Sequence, residues 1–362
     1  MLLLNSSFQG SLQGTDTMNT KVMTVIGARP QFIKASPMSA AMKIVGIEEV
    51  IVHTGQHFDA NMSDIFFDEL GIPAPTHRLD INSLSHGAMT GRMLEHIEGL
   101  AMQERPDWLL VYGDTNSTLA GALCAAKLGI KIAHVESGLR SYNQAMPEEI
   151  NRVLTDHISE VLFCPTQQAV ANLKMEGITR NVHMVGDVMY DATIAATKRA
   201  ELRSAILDQL NLVPRTYAVC TIHRAENTDN EERFLKVIEF LENAAKEQPI
   251  IMAVHPRTAK LLGQKGIKPK GITIVAPLGY LDMCWLLHNA RHAYTDSGGL
   301  QKEAYFHGVP CTTLRDETEW VETVEAGWNQ LWTDSGARPK KRKISDYGDG
   351  HSSEKIADIL VC

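Results

Sequence analysis

Short apolar runs rich in valine and isoleucine alternate with helical stretches along most of this chain, and this alternation restricts the fold more than any other feature. Within the runs consecutive positions are hydrophobic, which indicates strands buried on both faces, as in parallel sheets covered by helices. The first series of strands is predicted at Lys21–Ile26, Glu49–His53, Trp108–Tyr112, Lys131–Val135, Val161–Cys164 and Val182–Val185.

The same pattern then restarts after a charged, helical stretch at Asp191–Pro214. Because a domain averages about 150 residues, a chain of 362 residues has room for two. We therefore predict an α/β protein with two doubly wound, Rossmann-like domains that face each other across a cleft. The second series of strands is predicted at Tyr217–Ile222, Ile250–Val254, Ile272–Val275, Ala293–Thr295 and Cys311–Leu314. Helices are predicted at Met89–Gln103, Thr115–Leu128, Glu231–Lys246, Leu281–His288 and Leu300–His307.

Composition excludes several classes of protein. With 44% hydrophobic and 22% charged residues, the chain is not disordered throughout. Lys+Arg number 35 against 43 Asp+Glu, and the net charge of −8 disfavours general binding to nucleic acid or to an anionic membrane. No apolar run approaches a membrane span, and residues 1–20 are interpreted as a polar extension, disordered at its start, without the basic segment of a signal peptide.

Cysteine and histidine spacing favours neither disulfides nor a metal site. The six cysteines include no CxxC pair, which favours buried free thiols in a reducing cytoplasm. The histidine pairs His53/His57 and His288/His292 are spaced by four residues but lack an HExxH motif.

Acidic and basic residues follow the predicted strands of the first half. Gly27 opens a turn with Arg29 and Lys34 close behind, and the absence of GxGxxG and GxxxxGK[ST] disfavours a dinucleotide or P-loop site. Three acids stand at strand or helix ends, where they could transfer protons in a common pocket. Helix capping and charges that complement the helix dipole are the alternatives for these acids. They are Asp114, Glu136 and Glu148.

The strand ends of the second half predict an anion site. Ser297 can cap a helix, and Gly298 and Gly299 let backbone N–H groups approach a diphosphate. Glu303 could accept hydrogen bonds from a ribose. Four cationic or ionisable side chains follow the neighbouring strands and strengthen this prediction: His223, Arg224, His255 and Arg257.

Nine motifs in one order carry a resemblance to a known family. They are GARPQFIK, GDTNSTLAG, HVESGLRS, PEEINR, TIHRAEN, VHPR, TDSGGLQKEA, LRDETEWVE and YGDG. From about Lys21 to its end the chain closely resembles the non-hydrolysing UDP-N-acetylglucosamine 2-epimerases. The resemblance implies a glycosyltransferase-B-like architecture in which the C-terminal domain holds UDP and the sugar reacts in the cleft.

The resemblance also implies domain boundaries and partners. The N-terminal domain is expected at residues 21–190 and the UDP-binding domain at 191–345. Residues 346–362 are expected to form a helix that returns to the first domain. A UDP-sugar substrate, a homodimer and a cytoplasmic location are implied, and no metal or nicotinamide is required.

Family chemistry implies roles for individual residues. The proton at C2 of the sugar is removed as UDP leaves C1, and a 2-acetamidoglycal forms; UDP is then added back and C2 is protonated from the other face. Asp114, Glu136, Glu148 and His223 are the implied catalytic residues. The residues implied to bind the sugar and UDP are Arg29, Lys34, Arg152, His255, Ser297, Gly298, Gly299 and Glu303.

Three departures from the commoner motifs point to a branch of this family. The chain reads RPQ where many relatives read RPE, GQHFD where they read AQHRE, and TEWVE where they read TERPE. These loops look more like those of the branch acting on UDP-2,3-diacetamido-2,3-dideoxy-glucuronate. The GQHFD loop lacks the arginine of AQHRE, which is associated with the family's allosteric site, so that site is in doubt. As a hypothesis, Gln31 removes a repulsion against a substrate carboxylate. A UDP-GlcNAc 2-epimerase, a hydrolysing epimerase and a UDP-dependent glycosyltransferase are the alternatives.

Overall fold

The computed structural model describes residues 19–56 and 67–361. Most of the predicted N-terminal extension, part of the GQHFD loop and Cys362 therefore lie outside the described residues. Within the described part, no helix is both long enough and apolar enough to cross a bilayer.

The first half of the chain forms a parallel sheet of seven strands in the order β3-β2-β1-β4-β5-β6-β7. Strands β1 and β4 are neighbours although they are not consecutive, so the direction of winding reverses between them. The strands are β1 Lys21–Ile26, β2 Glu48–His53, β3 His77–Arg78, β4 Trp108–Tyr112, β5 Lys131–Val135, β6 Val161–Cys164 and β7 Val182–Met184.

The second half repeats the arrangement with six parallel strands in the order β10-β9-β8-β11-β12-β13. Here the reversal falls between β8 and β11. The strands are β8 Ala218–Thr221, β9 Ile250–Ala253, β10 Ile272–Val275, β11 His292–Thr295, β12 Cys311–Thr313 and β13 Asn329–Leu331.

Helices connect the strands of both sheets and cover their faces. In the first half they are α1 Arg29–Ile44, α2 His86–Glu104, α3 Asn116–Leu128, α4 Pro147–Ile158, α5 Gln167–Met175 and α6 Val188–Arg203. In the second half they are α7 Ile206–Gln209, α8 Ala225–Thr228, α9 Glu231–Ala244, α10 Pro256–Lys265, α11 Tyr280–His288, α12 Gly298–Phe306, α13 Val321–Glu325 and α14 Ser352–Val361.

Apolar residues of the central strands form the cores, as continuous hydrophobicity predicts. Val22 and Ile26 of β1 are completely buried in the core of the first sheet. Ile356 and Leu360 of α14 belong to the same cluster, so the C-terminal helix lies against the first half of the molecule. The predicted boundary between residues 190 and 191 falls inside α6 and stays a prediction.

The predicted two-domain α/β class is confirmed, and most of the predicted strands and helices are present within about two residues of their observed ends. The sequence analysis missed β3 and β13, which have two and three residues. Runs this short carry no periodicity that could distinguish a strand from a loop.

Candidate active site

Loops at the reversal points of both sheets carry two of the predicted catalytic residues, Asp114 and His223. Gly27 follows β1 and Asp114 follows β4, while His223 follows β8 and Asp296 follows β11. In a doubly wound sheet the loops diverge at the reversal and leave a crevice at the carboxyl ends of the strands. Each half thus presents its polar loops at the edge where a ligand can enter.

Glu136 lies at the end of β5 in an unusual backbone conformation. Its φ of 69° is in the left-handed region, which costs a non-glycine residue about 1–2 kcal/mol. Its carboxylate forms an ion pair with the Lys34 ammonium, and both side chains are largely buried. Gly113, with a φ of 63°, lies beside the pair, and a Cβ added there would come 3.7 Å from Lys34 Nζ. The neighbouring loops therefore leave room for this pair.

Lys34 is perturbed by its surroundings. Burial and the nearby Lys302 ammonium lower the pKa of Lys34 to about 8. The acidic groups around it, Asp187 and Asp114 among them, oppose this shift but do not cancel it. A lysine that titrates near neutral pH can change its charge during a catalytic cycle.

Asp114 and Arg152 form a second ion pair in the cleft. Arg152 also donates to Glu149 Oε2 at 2.6 Å. The Glu149 carboxylate accepts from the backbone N–H groups of Ser141 and Tyr142 at 2.9 and 2.8 Å. Glu149 therefore organises the loop before α4, and Arg152 connects that loop to Asp114.

Glu148 lies apart from the two ion pairs. It is exposed in the first turn of α4, and within the described ranges it forms no hydrogen bond or ion pair. Of the three predicted acids, Asp114 and Glu136 are thus held by cations, whereas Glu148 is not.

A buried charged cluster supports these acids, and the sequence analysis did not identify it. The completely buried His134 ring contacts Asp156 Oδ1 through Nδ1 at 2.7 Å and the Gly113 carbonyl through Nε2 at 2.8 Å. Asp156 also accepts from Arg140 at 2.7 Å and from the Gly138 N–H at 3.0 Å. The cluster therefore fixes the turn that leads to Asp114. A histidine inside an otherwise apolar strand was the available signal.

Gln31 has a structural role in the turn after β1, while the idea that it removes a repulsion against a substrate carboxylate stays a hypothesis. Its side chain is buried, and its Oε1 accepts from the backbone N–H groups of Gly27 and Ala28 at 2.8 and 3.0 Å. Its Nε2 donates to the Tyr112 carbonyl and to Thr118 Oγ1. A carboxylate could not donate these last two bonds, so Gln31 stabilises the turn that precedes Arg29.

His223 is oriented by Asp296 in the second half. Asp296 is completely buried and accepts from the backbone N–H groups of His223 and Arg224 at 3.0 and 2.9 Å. The His223 ring, 39% exposed, has Nδ1 3.2 Å from Asp296 Oδ1. Burial by itself would raise the pKa of Asp296, but the contacts with His223, Arg224 and Asn227 outweigh burial and lower it. Asp296 is another residue that the sequence analysis left without a role.

The start of α12 has the geometry predicted for an anion site. Ser297 caps the helix by accepting the Leu300 N–H, and Gly298 and Gly299 form its first turn. A Cβ on Gly298 would collide with the Glu319 carboxylate, so a larger residue there would require that side chain to move. His255 caps α10 next to this loop. Its ring centroid lies 6.1 Å from that of His223. Partial burial and the nearby His223 lower the pKa of His255.

Glu303 lies deeper along α12. Its Oε1 accepts from the Tyr280 hydroxyl at 3.3 Å. Burial raises the pKa of Glu303 to about 7, although Arg29 from the first half lowers it. Arg29 therefore acts on Glu303 across the cleft.

Lys302 joins the two halves and was not predicted. Its Nζ lies 2.6 Å from Asp187 Oδ2 and 4.0 Å from Glu136 Oε1, both in the first half. The structure thus brings the α12 loop and the Lys34–Glu136 pair to one cleft. No group of three or more His, Cys, Asp or Glu side chains in the described part could hold a metal ion.

Comparisons with known proteins agree with this architecture. Residues 40–361 match the family described as UDP-N-acetylglucosamine 2-epimerase. A Methanococcus maripaludis protein named UDP-N-acetylglucosamine 2-epimerase homolog is 51% identical, over 94% of this chain and 99% of that protein. A Pseudomonas aeruginosa protein named UDP-2,3-diacetamido-2,3-dideoxy-D-glucuronate 2-epimerase is 48% identical with the same coverage.

A solved structure gives the same result. The Methanocaldococcus jannaschii UDP-GlcNAc 2-epimerase in complex with UDP-GlcNAc and UDP is 44% identical. It superposes with a TM-score of 0.83 over 94% of this chain and 99% of that chain. The fold, the order of the site residues and these similarities agree, and the chain belongs to the UDP-N-acetylglucosamine 2-epimerase family, whose members are isomerases.

Proposed function

We propose that this protein is a non-hydrolysing UDP-sugar 2-epimerase that inverts C2 of a UDP-2-acetamido sugar. The proposal rests on one observation: acidic residues of the first half and a glycine-rich helix start of the second half line the same cleft. One side presents Asp114 and Glu136 with their cations, and the other presents the glycine-rich start of α12. Acids suit proton transfer at carbon, and a helix N-terminus suits a diphosphate.

We propose UDP-2,3-diacetamido-2,3-dideoxy-glucuronate as the substrate and its manno epimer as the product. The GQHFD and TEWVE loops and the relative of that name at 48% identity support this choice. UDP-GlcNAc is the alternative substrate, supported by a relative named UDP-N-acetylglucosamine 2-epimerase at 44% identity.

The proposed reaction has two stages. A carboxylate takes the proton from C2, the released electron pair forms the C1–C2 double bond, and the C1–O bond to UDP breaks. The resulting 2-acetamidoglycal then receives a proton at C2 on the opposite face while a UDP oxygen bonds to C1. Because two faces must be served, more than one of Asp114, Glu136 and Glu148 is assigned to acid–base work.

The remaining site residues receive supporting roles. His223, oriented by Asp296, is assigned to stabilise the departing diphosphate. Arg29, Lys34 and Arg152 are assigned to balance charge near the diphosphate and the sugar. The residues assigned to UDP are His255, Ser297, Gly298, Gly299 and Glu303. Closure of the cleft would retain the glycal until UDP returns.

Incubation in deuterated water tests the proposed function. Each candidate UDP-sugar is incubated with the enzyme, and the product is examined for configuration and for deuterium at C2. We expect deuterium at C2 of a manno-configured product that is still linked to UDP. The sugar with the larger kcat/KM is the substrate.

Two outcomes would contradict the proposal. Release of free sugar and UDP without a UDP-linked epimer would indicate a hydrolysing enzyme. No deuterium at C2 with either sugar would leave a glycosyltransferase as the better assignment, to be tested by transfer to an acceptor.

Binding of UDP is expected to weaken as pH falls through 7. The pKa of Glu303, raised by burial to about 7, means that the carboxyl group becomes protonated below that value. A neutral carboxyl accepts hydrogen bonds from a ribose diol less strongly, so we expect Kd to rise several-fold between pH 8 and pH 6. The Kd for UDP at each pH is measured by isothermal titration calorimetry. Glu303→Gln is the control for protonation of the UDP phosphate itself, and equal pH dependence in both proteins would remove Glu303 from UDP binding.

We also propose that the protein is a cytoplasmic homodimer. Ile150 and Leu154 lie one turn apart on α4, and Met146 caps the start of this helix four residues before Ile150; each of the three is at least 37% exposed. An apolar stripe of this kind suits a second copy of the chain. The five cysteines in the described part of the chain are buried free thiols, which suits a reducing compartment.

A further inference from the structure

Lys302 is a buried cation whose main partners come from the other half of the molecule. Only 3% of its side-chain surface is exposed. It extends from α12, and its Nζ lies 2.6 Å from Asp187 Oδ2 at the start of α6. The partners are separated by 115 positions in the sequence. The contact thus exists only while the two halves hold this relative placement.

The surroundings of Lys302 suit a charged ammonium. Burying an unpaired ammonium costs several kcal/mol, so this cation needs compensation. Asp187 supplies a carboxylate, and the face of Trp320 lies 4.0 Å from Nζ. An indole ring attracts a cation through its quadrupole. Trp320 belongs to the TEWVE loop, so one of the departures from the commoner motifs helps to build this contact.

Glu136 lies between two ammonium groups. Lys34 is paired with its Oε2, and Lys302 is 4.0 Å from its Oε1. The backbone of Glu136 is in the left-handed region, and such a conformation persists only where the surroundings hold it. Lys34 comes from the first half and Lys302 from the second, so the two cations approach the carboxylate from different halves.

We propose that Lys302 is a positioning residue for the epimerase reaction: with Lys34 it orients the Glu136 carboxylate, and through Asp187 it makes that orientation depend on the docking of the two halves. The inference rests on the proposed function, because it requires Glu136 to transfer a proton. It assigns no contact between Lys302 and the substrate. The carboxylate is fully oriented only when α12, which carries the proposed UDP site, is in place.

The charges near Glu136 determine how removal of the Lys302 charge changes the protonation of Lys34 and Glu136. Four charged groups act on Lys34, the partner of Glu136: Lys302, Asp187, Asp114 and Arg152. Lys302 also lies 4.0 Å from Glu136 Oε1. Burial is the largest cause that lowers the pKa of Lys34 to about 8, and the Lys302 charge is the next. Removing the charge of Lys302 leaves Lys34 without that repulsion, so the pKa of Lys34 rises. The same change takes a cation from Glu136, which favours its protonated form.

Lys302→Met tests the proposal because methionine keeps much of the length and removes the charge. We expect kcat for C2 exchange to fall about 10- to 100-fold and KM to change much less, since binding groups stay intact. Both limbs of the pH–rate profile are expected to move to higher pH. UDP affinity is expected to stay near that of the wild type. A role in folding alone would leave the two limbs where they are.

Two further variants keep the test decisive. Lys302→Met leaves Asp187 buried without its partner and could fail to fold, whereas Lys302→Met with Asp187→Asn replaces the pair by neutral groups of similar volume. The double variant is expected to fold, to lose activity and to show smaller pH shifts, because a cation and an anion are lost together. Lys265→Met is the matched control, since its ion pair with Glu231 is exposed.

The outcomes separate this inference from the proposed function. If the wild type exchanges C2 and folded Lys302 variants have normal kcat and an unmoved pH profile, the inference is wrong and the proposed function stands. If the wild type exchanges no deuterium at C2, the proposed function fails and the inference fails with it. A lower kcat with both limbs displaced supports both.

Discussion

Asp114→Asn is expected to lower kcat for deuterium exchange at C2 by about 10²–10⁴-fold, the usual size of a lost acid–base group. Asparagine keeps the shape of the side chain but cannot accept or return a proton. The Arg152 guanidinium paired with Asp114 is kept in this variant, so the change is expected to act mainly on proton transfer. The measurement is single-turnover exchange followed by mass spectrometry, with UDP affinity determined on the same protein.

UDP binding distinguishes a chemical role from a general loss of structure. The α12 loop that is assigned to UDP belongs to the other half of the molecule, so its affinity for UDP is expected to be unchanged in this variant. Asp107→Asn is the matched control, because Asp107 precedes β4 at the opposite edge of the sheet and should leave turnover unaltered. Normal exchange by Asp114→Asn would remove Asp114 from the mechanism.

Asp156→Asn is expected to destabilise the protein by about 3–5 kcal/mol, the range measured when one partner of a buried ion pair is removed. Asp156 is 1% exposed and has Arg140 and His134 as partners. The variant leaves a buried guanidinium with less compensation. It also loosens the Gly113 turn, which His134 holds through the carbonyl. Urea unfolding followed by fluorescence measures the change.

The loss of stability in Asp156→Asn is expected to depend on pH. Burial by itself would raise the pKa of Asp156, but the contacts with His134 and Arg140 outweigh burial and lower it. A lowered pKa in the folded state means that the carboxylate stabilises the fold above its unfolded pKa of about 3.9 and that this contribution is lost as pH falls through the folded value. Asp156→Asn should therefore lose most stability at neutral pH and less in acid.

An exposed pair provides the comparison for Asp156. Asp349 accepts from Lys355 at 3.1 Å on the surface, where water and salt screen the charges. Asp349→Asn is expected to leave the urea midpoint unchanged. If Asp156→Asn behaved in the same way, the buried cluster would not be important for stability.

Local patterns were sufficient for most of the secondary structure and for the position of the cleft. The runs WLLVY and KIAHV are hydrophobic at successive positions, and a run of that kind is satisfied only between two covering layers. Parallel strands direct their carboxyl ends to one edge, so the sequence alone predicts Asp114, Glu136, His223 and Ser297 at the edges of two sheets. Capping rules also predicted that Ser297 begins a helix.

Residues that act through distant partners could not be found in this way. Lys302 resembles any charged residue of a helix until Asp187 lies beside it, and Asp156 resembles a surface acid of α4 until His134 and Arg140 reach it. Gln31 shows the converse case. Glutamine in place of the glutamate of many relatives suggested an effect on a substrate carboxylate, whereas the hydrogen bonds that the Gln31 amide donates are internal. Sequence spacing carries no information about such pairs, since the chain between the partners is long.

The α/β class, the two sheets and the edges at which the predicted site residues stand follow from the amino-acid sequence alone, because they depend on hydrophobic runs and on turns of a few residues. The folded chain was needed to show that Lys34 and Lys302 flank Glu136, that Arg152 pairs with Asp114 and that Glu148 is exposed. The energies of these contacts depend on burial and on distances of a few ångströms between remote segments, and tertiary packing within and between the two halves sets both.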